Sequence, residues 1–461
     1  GGNSFRLVRV GAATASADGS IVVTGQRIRV SDFDRTTTGQ VISVADVAAR
    51  VPVARDLTSI ILLAPGTSQG DSAFGNLPSI SGGSVSENTF FINGLNVTDF
   101  REGLGSVEVP FEFYQTVEVK NGGVPAEFGR FTGGFVNAIT KSGSNQFHGG
   151  LLVNWEPDGL FEDRKNTLID RNDQDTRETI QTIFNLSGPI IKDKLFFYGF
   201  YQHNYIKSGD TLLTVNPNQT EPDPNNPNAR RAIAPYSTGL RREQRSMRSP
   251  FYGGKIDFLP FEGHRLEFTY FNSSFDRTLD SYSIVDANGG TYDSRTDGVP
   301  QRGAFQSRAL LQGGGENYIG RYTGQLTDFL TISGAYGKNK RRDVVGSTTP
   351  DAPGIADTAG LGAVGNAVNA LDENYDTREF YRADAEVFVN LLGEHHFKAG
   401  YDRENLTTDA TTSYTGNVFY TYVRTPADSG DIYVPTPNTL YVTARTFVNG
   451  GVFKSRNEAF Y

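Results

Sequence analysis

From Gln146 onward, hydrophobic and polar positions alternate. Arg265, Glu267 and Thr269 interleave with Leu266, Phe268 and Tyr270, and Lys255 and Asp257 with Gly254, Ile256 and Phe258. Arg321, Thr323 and Gln325 interleave with Tyr322, Gly324 and Leu326, and Arg382, Asp384 and Glu386 with Ala383, Ala385 and Val387. A period of two predicts strands with one charged and one apolar face. The gaps between strands alternate in length. Those at 188–193, 259–263, 327–329 and 390–394 are short; those at 156–176, 207–248, 277–315 and 341–378 are long and rich in Asp, Asn, Pro, Gly and Thr. A soluble sandwich has the same solvent at both ends and does not sort its loops in this way. An antiparallel up-and-down barrel in a membrane does, with tight turns on one side, long loops on the other and its charged face toward the lumen. Nine strands are complete by Leu406 and another begins near Val452. Between them, TGNVFYTYVR and NTLYVTARTF predict a hairpin standing beyond the membrane.

The stretch before Gln146 has a different pattern. VADVAARV at 44–51 and RDLTSIILLAPG at 55–66 read as two helical pieces stopped by Pro65 and Gly66. Short strands follow at 89–92, 115–119 and 135–140, with Asn93-Gly94 and Asn121-Gly122 as turn signals. The expectation is a mainly β protein in three parts: the end of a preceding β-sandwich and a linker at 1–19, a mixed α+β unit at 20–145, and a transmembrane barrel at 146–461. A ten-stranded barrel is filled by its own side chains. A plug of about 120 residues, the size of a small domain, needs a much wider lumen. The chain is therefore expected to be the N-terminal portion of a longer protein.

Composition narrows the chemistry. The 461 residues include 52 Gly, 32 Phe and 21 Tyr, which suits turns and interfacial aromatic girdles. No apolar run reaches the 18 or more residues of a membrane helix. A net charge of -9 argues against a nucleic-acid partner. With no Cys there is no disulfide framework, thiolate site or Cys nucleophile. The five His residues, His148, His203, His264, His395 and His396, form no HExxH pair. The acidic stretch 163–175 lacks calcium-loop spacing, GGGENYIG at 313–320 is not a phosphate loop, and GxSxG is missing. No catalytic residue, metal or cofactor is expected, and no enzyme.

Three stretches carry a resemblance: IVVTG at 21–25, SISGGSVSENTFFINGLNV at 79–97 and VEVKNGGVPAEFGRFTGGFVNAITKSG at 117–143. They resemble the plug of TonB-dependent outer-membrane receptors, with Ser81 where many members have Arg and Phe128 where they have Tyr. LSGPIIKDKLFFYGFYQ at 186–202 is similar to the early hairpin of the Oar-like branch, in which a carboxypeptidase-regulatory-like sandwich precedes the plug. The resemblance implies a 22-stranded barrel in the outer membrane of a Gram-negative bacterium, surrounded by lipid and lipopolysaccharide. It implies active transport of a siderophore, peptide, glycan or protein, driven by the inner-membrane proton-motive force through TonB, ExbB and ExbD. Two rivals stand beside that reading: an Oar-like receptor acting in protein secretion or surface binding, and a passive porin or adhesin.

For Ile21, Val22, Val23, Thr24 and Gly25 two readings stay open. The β-branched segment is able to add as a strand to the edge of a TonB sheet, or it is the first strand of the plug. Gly122, Gly123, Gly129, Gly133 and Gly134 permit turns and close backbone approach. Glu118, Lys120, Glu127, Arg130 and Lys141 are expected to pair with the charged wall, in wet contacts weak enough to be reversible. By motif position the apical turns fall at 81–87 and 98–105. Ser84, Ser86, Phe100 and Arg101 are expected to face the substrate, Phe100 as an apolar contact and Arg101 as a forked donor.

Overall fold

The computed structural model describes residues 38–51, 56–216, 220–223, 226–232, 236–357, 359, 365–366, 368–390, 392–425 and 439–461. The segments 1–19 and 21–25 singled out above lie outside the described residues.

Strand β1 (Thr38–Ser43) leads directly into helix α1 (Val44–Arg50). Ser43 caps that helix by accepting the Asp46 N–H at 3.4 Å, and Asp56 caps α2 (Leu57–Ile61) by accepting the Ser59 N–H at 2.8 Å. Four more strands complete a five-stranded sheet: β2 (Thr89–Ile92), β3 (Leu95–Asn96), β4 (Tyr114–Gly122) and β5 (Phe135–Thr140), in the order β1-β4-β5-β2-β3. Asn93 and Gly94, at φ 49° and 85°, close β2 onto β3 as their sequence predicts. Asn121-Gly122 does not turn. The pairing of Thr38 with Gly122 and Gly39 with Lys120 keeps that dipeptide extended, and the reversal begins at Gly123, φ 62°. Val117, Val119, Val136 and Ala138 from the sheet pack with Ile60, Ile61 and Ile80 in one buried core. Gly134 passes so close to it that a Cβ there would lie 2.4 Å from the Ile80 side chain.

The second unit is a meander of long antiparallel strands. They are β6 (His148–Glu156), β7 (Thr176–Ile191), β8 (Leu195–Asn216), β9 (Tyr236–Arg248), β10 (Phe251–Phe258), β11 (His264–Asn272), β12 (Phe275–Val285), β13 (Gln301–Thr327), β14 (Leu330–Ser347), β15 (Ala370–Asn390), β16 (Glu394–Tyr414) and β17 (Val448–Phe460). Both β9 and β10 pair with β8 and form one pass of the wall, interrupted at Ser249-Pro250, where proline supplies no ladder N–H. Both β11 and β12 pair with β13 and form another, interrupted opposite Gly314, φ 72°. Ten passes result. Among the described residues β6 and β17 each have a single neighbour.

The alternation in the sequence sorts the two faces. Lys255, Asp257 and Thr269 are buried against the plug, while Ile256, Phe258, Leu266 and Phe268 are among the large apolar side chains exposed on the outer face with Leu151, Val153 and Trp155. The fold is thus a mainly β, up-and-down barrel wall with a mixed α+β plug on its lumen side. Three of the four short turns fall where predicted; at the first, 188–191 is still paired strand and the turn is 192–194. Much of the predicted long loops, however, is ladder: 207–216 pairs with 236–246, 277–285 with 301–311, and 341–345 with 372–376. Strand β13 runs for 27 residues, against the roughly 9–11 a bilayer requires. The predicted outer hairpin forms between Phe419–Arg424 and Leu440–Arg445, and Gly354–Asp357 adds to it in parallel.

Candidate functional site: the plug against its wall

Period two along β14 and β15 turns Asn339, Arg341 and Asp343, and Asp376, Arg378 and Arg382, toward the plug. The plug meets them with the turn that follows β3. Asp99 shapes that turn by accepting the N–H groups of Arg101 (2.9 Å) and Glu102 (3.1 Å), and it also accepts the guanidinium of Arg341. Two residues on, Arg101 donates through Nε to Asp376 at 3.1 Å and through Nη2 to Asp343 at 2.9 Å. Arg378, only 3% exposed, donates to the carbonyls of Asn96 (2.7 Å) and Thr98 (2.8 Å) and lies over the ring of Phe100. Asn96 donates to Glu404 at 3.1 Å.

A second group of contacts lies nearer the short turns. Glu127 holds Lys398 at 2.7 Å, and its carbonyl accepts from Arg382 at 2.6 Å. Arg130, in a left-handed conformation at φ 69°, reaches Asp402 at 2.5 Å and Glu404 at 3.0 Å. Charge-assisted bonds of this kind contribute about 1.5–3 kcal/mol each. Removing one buried partner leaves the other uncompensated, at a cost of roughly 3–5 kcal/mol.

Of the five charged residues expected at the wall, Glu127 and Arg130 reach it. Glu118 and Lys120 share a face of strand β4 and pair with each other at 3.2 Å. Lys141 is half-buried, and burial holds its ammonium below the ordinary lysine pKa, partly offset by Glu112. Of the four residues expected at the substrate, Arg101 is engaged by wall carboxylates and Phe100 lies beneath Arg378. The exposed Ser84 and Ser86 hydroxyls lie 3.2 Å from one another.

Sequence reasoning missed the apolar half of this interface. Phe113, fully buried, projects from the plug into an aromatic box made by Tyr198, Phe200, Phe251 and Phe271, with ring centroids 5.1–5.9 Å away. The signal was present in LFFYGFYQ at 195–202, where aromatic residues occupy both faces of a strand whose neighbours keep one face polar. It missed Asn93 as well, whose amide bridges Thr140 of the plug at 2.8 Å and Thr269 of the wall at 3.0 Å.

The family described as "Outer membrane beta barrel domain" matches residues 139–375, just over half of the chain. The TonB-dependent transporter Oar of Myxococcus xanthus is 29% identical across 82% of this chain. Among solved structures, the outer membrane transporter YddB from Escherichia coli superposes on 92% of the chain with a TM-score of 0.55 at 12% identity, a likeness of fold alone. The chain spans about 40% of the length of Oar and 54% of that of YddB.

Proposed function

The chain belongs to the outer membrane β-barrel domain family, located in the Gram-negative outer membrane, and from that premise we propose that it takes part in TonB-driven transport of a ligand across that membrane. The plug blocks the lumen at rest. Ligand bound at the outer face loosens the plug's polar contacts, TonB takes hold of Ile21–Gly25, and force from the proton-motive system through ExbB and ExbD moves the plug aside. The observation that carries this reading is the chemistry of the plug–wall contact. Between Asp99, Arg101, Glu127 and Arg130 and their wall partners it is ionic and hydrogen-bonded, which water can replace bond for bond when the plug moves. A permanently closed structure would be better served by apolar packing throughout.

The ligand remains a siderophore, peptide, glycan or protein. Ser84, Ser86 and Phe100 are proposed contacts for it, and Arg101 becomes one only by leaving Asp343 and Asp376. The test uses the full-length protein and a purified periplasmic fragment of TonB. Capture of the fragment is expected, and deletion of residues 20–25 should abolish it. Capture that survives the deletion overturns the assigned contact; no capture by the intact protein returns the passive porin.

A further inference from the structure

The wall face that turns toward the plug continues past it, away from the short turns. Strand alternation along β9, β12, β13 and β14 places Met247, Arg277, Leu311 and Val345 on that face, in register, as one row across four strands. Gly313 and Asp343 belong to the next row on the plug side, and Asp343 holds Arg101 of the plug. Arg277 therefore lies one rung, about 7 Å, farther from the short turns than Asp343, and two strands to its side.

Arg277 has no hydrogen bond or ion pair among the described residues. The carboxylates of neighbouring lumen positions are taken: Asp343 by Arg101 at 2.9 Å, Glu243 by Arg241 at 2.6 Å and by Arg245, and Asp210 by Arg245. Asp276 and Asp280 on its own strand face outside, where they receive Arg342 at 3.3 Å and Arg308 at 2.5 Å. Asp372, next in the row after Val345, is three strands from Arg277, about 14 Å. The surroundings of the guanidinium are apolar. Met247 and Leu311 flank Arg277 across the strands, and Phe275 and Leu279 flank it along its own. All five side chains are only half-buried. The Phe275 ring lies over Gly313, where a Cβ would come within 2.3 Å of it. The row thus presents a forked donor with no acceptor, set among apolar side chains that remain partly open.

We propose that this row binds the C-terminus of a peptide ligand that ends in an apolar residue, with the terminal carboxylate on Arg277. The proposal rests on the reading that ligand binds at the outer face of the plug. A guanidinium matches a carboxylate with two parallel N–H groups. The cation lies within the apolar row and not at its end, so the acid must branch from a chain with apolar groups on both sides. An α-carboxylate does so: the last side chain lies to one side of it and the preceding residue to the other. A straight-chain acid fills one side only. The peptide's acid also gains its bond at Arg277 without breaking another, whereas Arg101 is held by Asp343 and Asp376.

Equilibrium dialysis of the full-length protein in lipid nanodiscs, with empty nanodiscs as the blank, tests this with labelled acetyl-Leu-Phe and its C-terminal amide. The acid should bind about tenfold more tightly than the amide, the effect of one charge-assisted pair. R277Q should bring the acid down to the affinity of the amide, R277K should keep part of the difference, and L311N should weaken acid and amide alike. Retained amide binding shows that R277Q is folded; were it lost, R277K and the comparison of acid with amide in the unaltered protein decide. No binding above the blank, equal affinity for acid and amide, a difference indifferent to R277Q, or octanoate bound as tightly as the peptide overturns the site. Capture of the TonB fragment reports separately on the transport reading.

Discussion

Asp99 and Arg101 sit two residues apart on the plug, and Arg341 and Asp343 sit two apart on the wall, so each charge meets its opposite when the two segments align. Arg101 also holds Asp376 at 3.1 Å, and the two partners of that one bridge should be coupled. R101Q and D376N are each expected to destabilise plug seating by about 3–5 kcal/mol, and the double variant by less than their sum, with a coupling of roughly 1–2 kcal/mol. Protection of the plug from limited proteolysis in the intact protein measures this. E118Q, whose partner Lys120 is on the same strand, should change it by no more than about 0.5 kcal/mol. The sequence marked these side chains as charged and near the lumen. It did not say which would find a wall partner, because that depends on which strand face the plug presents and on register across chain separations of more than 200 residues, as between Arg101 and Asp343.

The strands were legible where lipid meets one face and the plug or lumen water the other, since only there does alternation carry contrast. Arg265 to Tyr270 read correctly for that reason. The run Arg241, Arg242, Glu243, Gln244 and Arg245 is paired strand throughout, yet polar on both faces. With no apolar face to alternate against, its composition suggested a loop. The opposite case is β8. Its Phe196, Tyr198 and Phe200 face inward and are buried, because they receive Phe113 and neighbouring apolar residues of the plug. F113A should cost about 3–5 kcal/mol of plug stability through loss of a large buried ring. Denaturant midpoints of the plug followed by proteolysis check it, and F113L should recover more than half. Loss of less than about 1 kcal/mol would mean that the box closes without its occupant.

At the scale of the whole molecule, the outer face of the wall tests the membrane assignment. F268R places a charge among exposed apolar neighbours such as Leu266 and Ile256 and should cost roughly 2–4 kcal/mol if that position lies near mid-bilayer. Folding yield into lipid vesicles, compared with that in detergent, reads the difference. A sandwich in water would tolerate the substitution.

Strand β13 has a further consequence. At about 3.3 Å per residue and a tilt near 40°, its 27 residues rise roughly 65–70 Å, against an apolar band about 25 Å tall. The excess stands as a stiff hydrogen-bonded turret beyond the bilayer. Antibodies, phage and large cargo approaching the cell would therefore touch its crown, including the small sheet of Phe419–Arg424 and Leu440–Arg445, well before they came near the bilayer.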